Sequence, residues 1–262
     1  MNHYPMWQTS ESPDGKTVVV LTGGTRGLGS QLTHHLLRQD FAVAICGRSQ
    51  RNVQQMITQH QEHGALMGMA GDIGTQPFQR EFLRSVDQWA QNLHVLVNNA
   101  SSLGDLPLPT LRHLTLENLQ QVMAINFMAP LSLLQLALPL LDRAQGVSIG
   151  ISSDAAVGAY PGWLAYGASK AALDLAYATV ANEEPHLRFY TVDPGDMDTQ
   201  MHQDALPDDS GPLRNPASVA RALLPIFEAF QRGETPYPTG SRLCLVENLE
   251  SLRLEVWQNE SQ

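Results

Sequence analysis

The chain has 262 residues, 43% of them hydrophobic, enough for one large α/β core or two small ones. Its 26 acidic against 16 basic side chains give a formal charge of −10, which argues against nucleic acid or an anionic membrane as a partner, because phosphate binding draws on clustered Lys and Arg. Two cysteines, Cys46 and Cys244, make neither a disulfide framework nor a metal-ligand cluster, so no metal is expected and a reducing cytoplasm is.

Residues 1–15 read as a polar leader without a regular element or the basic-then-apolar order of a secretory signal. No later run stays apolar for the roughly 18 residues that a membrane span takes. From residue 16 onward, short β-branched runs alternate with longer amphipathic ones. The pattern predicts strands over 17–22, 41–47, 65–70, 94–99, 147–153, 187–193 and 241–246, with helices over 27–39, 52–63, 76–89, 115–141, 166–183 and 216–231. Most of the strands are apolar throughout rather than alternating, as strands covered on both faces are. An α/β doubly wound parallel sheet of about seven strands, with helices on both faces, follows from that order. No repeat, low-complexity tract or linker divides residues 16–262, so they read as one domain. The least regular stretch, 193–216, follows a predicted strand, and such sheets bind ligands beyond the carboxyl ends of their strands; its residues 196–215 are expected to form a lid over the substrate.

Directly after the first long strand comes "TGGTRGLG", which sets Gly23, Gly27 and Gly29 on the turn into a helix. Glycines there permit a tight turn and let backbone N–H groups at the helix start approach a pyrophosphate. A ligand-free strand-to-helix turn would use the same residues, but the strand-turn-helix context favours a dinucleotide. The second strand ends "CGRS", with Gly47 where an NAD site usually places an acid and Arg48 beside it; Arg26 sits inside the glycine loop. Two guanidiniums near one 2'-phosphate favour NADP(H). Asp72 in "AGDI" could accept from the adenine amino group or, equally, cap a turn.

Tyr166 and Lys170, in "YGASK", lie at i and i+4 and so on one face of a helix. An adjacent ammonium favours the phenolate and is expected to lower the tyrosine pKa from about 10, fitting the pair for acid-base work. Alone, such a pair is usually surface decoration. Ser153 ends the strand thirteen residues earlier, "NNAS" (Asn98 to Ser101) ends the strand before that, and Asn126 lies four residues before Pro130 in a long helix. Proline has no N–H to return to the Asn126 carbonyl, so a kink there can hold a water that connects Lys170 to solvent; a capped or solvent-facing amide is the plainer role for Asn126.

Together "TGGTRGLG", "NNAS", "AIN", Ser153, "YGASK" and "DPGDMDT" resemble the short-chain dehydrogenase/reductase family over nearly the whole chain. The resemblance implies a Rossmann-like fold, with Tyr166 as general acid in reduction, Lys170 on the nicotinamide ribose, Ser153 orienting the substrate carbonyl and Asn126 holding a relay water. It implies a cofactor site made of Gly23, Thr25, Arg26, Gly27, Leu28, Gly29, Arg48, Asp72, Ile73, Asn99, Ala100, Tyr166, Lys170, Pro194, Gly195, Met197 and Thr199. It also implies a homodimer or homotetramer through the helices that carry Asn126 and Tyr166. Ser101 departs from the family, which more often has glycine after "NNA".

"NNASSLGDL", "PGWLAYGASKAALDL" and "ANEEPHLRFYTVDPGDMDTQM" are similar to sepiapterin reductases. Those enzymes grip the pterin with an aspartate near the C-terminus; Cys244 stands at the comparable position, with Glu247 the nearest acid. The expected activity is therefore an NADPH-dependent carbonyl reductase of small ketones or aldehydes, with a pterin side-chain ketone reductase, a 3-oxoacyl thioester reductase and a non-enzymatic NADP sensor as the alternatives. Met197, Met201, His202 and Trp163 are candidates for shaping the substrate pocket.

Overall fold

The computed structural model describes residues 8–9, 13–247 and 252–258. Nine strands form one sheet among them: β1 (Gln8–Thr9), β2 (Val18–Thr22), β3 (Ala42–Gly47), β4 (Leu66–Ala70), β5 (Val95–Asn98), β6 (Val147–Ile151), β7 (Arg188–Asp193), β8 (Arg242–Glu247) and β9 (Leu252–Val256). The order across the sheet is β1-β4-β3-β2-β5-β6-β7-β8-β9. The seven inner strands, β4 to β8 in that order, run parallel, and the two outermost pair antiparallel at either edge.

The helices are α1 (Gly27–Arg38), α2 (Gln50–His60), α3 (Gln76–Ala90), α4 (Leu116–Met123), α5 (Ala129–Ala144), α6 (Leu164–Glu183), α7 (Gln200–Ala205) and α8 (Pro216–Gln231). Alternation along each strand sorts the core into two layers. Val19, Leu21, Val43 and Ile45 pack with Leu32 and Leu36 of α1, Ile57 of α2 and Phe227 of α8. Val20, Ala44 and Leu96 face the other way, onto Phe78 and Phe82 of α3, Leu133 and Leu141 of α5, and Leu173 and Tyr177 of α6. Burial of each large side chain contributes roughly 1.5–3 kcal/mol, which is why strands apolar on both faces must lie between two helical layers.

Five features differ from the sequence expectations. The leader contributes β1, which pairs Gln8 with Gly68 and Thr9 with Met67; the rest of residues 1–12 lies outside the described residues. The chain adds β9 after the last expected strand. The lid contains α7, whose cap is Thr199, with Oγ1 accepting from the His202 N–H. Finally, the long helix around Asn126 is not simply kinked: α4 and α5 join through a π-helical turn, Ala124–Met128, in which the Ala129 N–H reaches back to the Ala124 carbonyl. That extra residue per turn absorbs the missing N–H of Pro130 without breaking the helix. The continuous helix Leu116–Ala144 is long and apolar enough by composition to cross a bilayer, which the sequence reading did not anticipate; 44% of its most apolar window is buried in the domain.

Sequential order reverses between β2 and β5: β2 neighbours both β3 and β5, and the chain leaves it in opposite directions. A crevice opens at such a switch point, outside the carboxyl ends of the strands. The glycine turn after β2 and "NNAS" after β5 are its two walls.

Candidate active site

The glycine wall is set by close approach of backbone. Gly23 takes φ +67°, and a Cβ on Gly29 would lie 2.2 Å from the Gly23 carbonyl oxygen and 2.7 Å from Asn99 Nδ2. Asn99 Nδ2 donates to the Thr22 carbonyl (2.9 Å), while the backbone N–H groups of Asn99 and Ala100 both donate to Thr22 Oγ1 at 3.0 Å, so the two strand ends are tied together. α1 begins without a side-chain cap and without an acid in its first turn, leaving its N-terminal N–H groups and positive dipole end to an anion. Gly27 takes φ +50°, and the space where its Cβ would project is faced by the Thr199 methyl at 3.4 Å, which brings the start of the lid over the turn. These residues fit a dinucleotide pyrophosphate.

At the adenosine end the residues are more spread. Leu28 and Ile73 are buried, Thr25 packs against Gly47, and Arg48 is exposed just past β3. The Arg26 guanidinium lies over the Asn52 amide, whose oxygen, in the orientation that satisfies both groups, accepts from Nε and Nη2 at 2.9 and 3.0 Å. Arg26 and Asn52 border a polar cavity of about 580 Å³ between α1 and α2. Asp72 is exposed, and its Oδ1 accepts from the Gly74 N–H at 2.9 Å: it makes the turn that the sequence offered as its other role.

At the chemical end, Tyr166 and Lys170 of α6 are 8% and 2% exposed. Lys170 Nζ donates to the Ile151 carbonyl at 2.7 Å and stands 5.5 Å from the centre of the Tyr166 ring. One of its three donors is thus used, leaving two for ribose hydroxyls. Burial draws the ammonium pKa down to about 8, with Asp174 one turn further along α6 pulling it up. The Tyr166 phenol departs from expectation: burial pushes it up to about 12, the Ser101 and Ser153 hydroxyls pull it down by hydrogen bonding, and the Asp154 and Asp193 carboxylates push it up. Desolvation of the phenolate outweighs the nearby ammonium.

Ser153 lies two residues past the end of β6 and caps a 3-10 turn, Asp154–Ala156; its Oγ donates to Asp154 Oδ1 (2.9 Å) and accepts from the Ala155 N–H (3.2 Å). Asn126 is neither a cap nor solvent-facing. It is 1% exposed, its Oδ1 accepts from Ser101 Oγ (3.1 Å) and the Ser102 N–H (2.8 Å), and its Nδ2 donates to the Ser102 carbonyl (2.9 Å) and Ser169 Oγ (3.0 Å). Ser169 in turn donates to the Tyr166 carbonyl, so one amide joins the π turn, the "NNAS" loop and the tyrosine helix.

The combination of glycine turn, buried Tyr-Lys pair, strand-end serine and clamped asparagine on a parallel sheet is accompanied by similarity in sequence. A profile of the short chain dehydrogenase family matches residues 17–210. The chain belongs to the short-chain dehydrogenase family. Sepiapterin reductase of Mus musculus is 32% identical to it over 203 residues, covering 72% of this chain and 77% of that one. Benzil reductase ((S)-benzoin forming) of Saccharomyces cerevisiae is 31% identical over 199 residues, covering 71% and 74%. Among solved structures, the KRED1-Pglu enzyme matches 87% of this chain and all of its own with a TM-score of 0.77 at 24% identity, a likeness of fold. This short-chain dehydrogenase is therefore an oxidoreductase of the alcohol-carbonyl type with a nicotinamide cofactor.

In this short-chain dehydrogenase the 196–215 segment reaches Tyr166 through α7. Ala205 of α7, Trp163 and Leu108 pack on the buried cluster of Leu103, Ala155 and Tyr166, and the Trp163 and Tyr166 rings meet edge to face at 5.4 Å. Met197 bridges to Arg214 across the lid, whose guanidinium fills the space beside Gly195 and donates to the Pro194 carbonyl (3.4 Å). His202 turns to Asp209 (2.8 Å), and Met201 is partly exposed. Cys244 opposes Asp193 in the β7-β8 register, whereas Glu247 is exposed, 4.0 Å from Arg214.

One functional residue had no signal in the sequence. Arg242 of β8, with its side chain 10% exposed, donates to Asp174 Oδ2 (2.9 Å), Asp193 Oδ2 (3.1 Å) and the Ser153 carbonyl (2.9 Å). It thereby fixes the ends of β6 and β7 against the tyrosine helix.

Proposed function

We propose that the protein is an NADPH-dependent reductase of small-molecule ketones or aldehydes, with Tyr166 as the proton donor. The observation that carries this is the meeting of a buried phenol, two serine hydroxyls and a buried ammonium at the mouth of the dinucleotide crevice. When bound, the cofactor supplies the hydride. A phenol that titrates near 12 stays protonated at neutral pH and is in the form needed to protonate a developing alkoxide. Ser153, by turning from Asp154, donates a second hydrogen bond to the same oxygen as charge develops there. Lys170 holds the ribose, the glycine turn with Gly23, Gly27 and Gly29 holds the pyrophosphate, and Pro194, Gly195, Met197 and Thr199 cover the nicotinamide.

Arg26 and Arg48, with no acid at Gly47, support NADPH over NADH. The sepiapterin reductase relatives favour a pterin side-chain ketone as second reading, against the substitution of Cys244 for an anchoring acid. An acyl-carrier substrate is disfavoured by a lid that carries Asp196, Asp198, Asp204, Asp208 and Asp209 against Arg214. A purely sensing role leaves the Ser153, Tyr166 and Lys170 set unexplained. We further place the protein in the cytoplasm, consistent with two free cysteines, and as a homo-oligomer through α4, α5 and α6, where Leu116, Met128 and Leu175 are each more than 60% exposed.

The test is oxidation of NADPH and NADH against sepiapterin, diketones, aromatic aldehydes and 3-oxoacyl thioesters, alongside Tyr166→Phe. Turnover with NADPH that falls at least about 100-fold in Tyr166→Phe, with NADPH affinity retained, is the expected outcome. Undiminished turnover in that variant would refute the assignment.

A further inference from the structure

Arg26 is exposed at the N-cap of α1, and its guanidinium is held by a neutral side chain. A guanidinium carries only donors, so the Asn52 atom that Nε and Nη2 meet at 2.9 and 3.0 Å is the amide oxygen. Asn52 is itself fixed: it lies half-buried in the first turn of α2, with its N–H donating to Ser49 Oγ at 3.3 Å. Two of the five guanidinium N–H groups are thereby engaged, and three are left on Nη1 and Nη2. The charge is left as well, because an amide holds the side chain without neutralising it. Among the described residues, no Asp or Glu borders the cavity of about 580 Å³ that Arg26 and Asn52 share with Ser30, Gln31 and His34, although the chain has 26 acidic side chains. Gly47 keeps the end of β3 free of an acid too, and a Cβ there would press on Thr25 Oγ1 at 3.0 Å.

We propose that Asn52 is a specificity-determining positioning residue, which aims the Arg26 guanidinium at the 2'-phosphate of NADPH and keeps its full charge for that contact. This rests on the reading of the protein as an NADPH enzyme with Arg26 at the 2'-phosphate. An exposed arginine samples many rotamers and loses that freedom when it meets a phosphate; the Asn52 oxygen removes much of this loss before the cofactor arrives. NADH has a hydroxyl where NADPH has the phosphate, so neither the aim nor the charge acts on it, and the contribution falls on one cofactor only. An aspartate at the same position would reverse both effects. Its carboxylate would pair with the guanidinium more strongly than the amide does, and it would face the incoming phosphate with like charge.

Equilibrium binding of adenosine 2',5'-bisphosphate, AMP, NADPH and NADH tests this without turnover, in wild type, Asn52→Ala, Asn52→Asp, Arg26→Met and the double variant of Asn52→Ala with Arg26→Met. Asn52→Ala is expected to weaken the bisphosphate and NADPH about three- to tenfold and Asn52→Asp at least about tenfold, with AMP and NADH held within about twofold of wild type. In the Arg26→Met background, Asn52→Ala is expected to change nothing further. A preference of the wild type for the 2'-phosphorylated ligands that survives in Arg26→Met, or in both Asn52 variants, overturns the proposal alone. An equal loss of both ligand pairs in the Asn52 variants does so too, because it marks a role in folding α2. An undiminished effect of Asn52→Ala in Arg26→Met has the same result, since it puts Asn52 itself on the phosphate. A wild type that binds the bisphosphate no more tightly than AMP overturns both the proposal and the NADPH reading beneath it.

Discussion

Replacing Arg242 with methionine isolates what holds the chemical end together. The guanidinium is 10% exposed and faces two carboxylates, Asp174 at 14% and Asp193 at 12%, so removal leaves two buried anions with no cation between them. Loss of one partner from such a cluster costs about 3–5 kcal/mol, because the stranded charges keep their desolvation cost and lose their attraction. Burial already holds the Asp174 carboxyl above its ordinary range, with the Ser152 and Thr191 hydroxyls and Arg242 pulling the other way. Without Arg242 it rises further. A carboxyl whose folded pKa exceeds its unfolded value makes the folded state bind the extra proton, so the deficit is full at neutral pH and shrinks as pH falls through the raised folded pKa toward the unfolded value near 4. Urea unfolding of wild type and variant across that range measures both quantities. A deficit below about 1 kcal/mol at pH 7, or one that does not vary with pH, would refute the reasoning, the second result pointing to lost packing against Trp257, whose ring lies 5.2 Å from the guanidinium. A triple variant that also carries Asp174→Asn and Asp193→Asn should recover most of the loss.

Gly29→Ala should destabilise the fold by at least about 1–3 kcal/mol and abolish NADPH binding, since its methyl would overlap the Gly23 carbonyl oxygen; equilibrium binding and urea unfolding report the two effects separately. Lys170 titrates near 8 rather than 10.5, so cofactor affinity should weaken as pH rises through 8 and its ammonium is lost, while its contribution to stability should improve from about pH 8 to 10.5, where the folded state has shed the proton that the unfolded state retains. Lys170→Met should remove both trends. Arg48→Asp should move the NADPH-to-NADH preference by about tenfold or more toward NADH, measured as the ratio of kcat/KM values. An unchanged ratio would show that the exposed guanidinium does not meet the 2'-phosphate.

The interior of the sheet was legible because its strands are continuous runs such as "VVVLT" and "VAICG", which tolerate only burial on both faces, and because they alternate with amphipathic runs of helical length. The edges were not. β9 reads "LRLEV", buried at Leu254 and open at its neighbours, and five such residues have no meaning without their β8 partners, thirteen residues away for Leu243 with Val256 and eleven for Cys244 with Glu255. α7 is a single capped turn and a half inside a loop full of aspartates. The π turn was half visible: Pro130 announced a broken hydrogen bond at Asn126, but whether a helix kinks or inserts a residue depends on what packs against it, here the Ser102 backbone and Ser169. Arg242 had no signal, since its three partners lie 49, 68 and 89 positions away and nothing near it in "GSRLCLV" distinguishes it from an ordinary edge-strand cation.

The same distance explains the tyrosine. Helical spacing set Lys170 beside Tyr166, but spacing does not reveal burial, and desolvation pushes the phenol up to about 12 and the ammonium down to about 8. The long-range contacts then acquire a chemical meaning. Along α6 and into β8 the buried charges alternate: Arg242 positive, Asp174 negative, Lys170 positive, and finally a phenol that must become negative as it releases its proton. Asp174 favours the charged form of Lys170, and Arg242 in turn holds Asp174 ionised. Removing Arg242 therefore reaches Lys170 through Asp174: at the pH where Lys170 titrates, the stranded carboxylate stays ionised and, with the cation on its other side gone, favours the ammonium more strongly. The residue that ties the strand ends together is thus also placed to set the protonation state of the site, and a rise in the apparent pKa of Lys170 in Arg242→Met is the direct consequence.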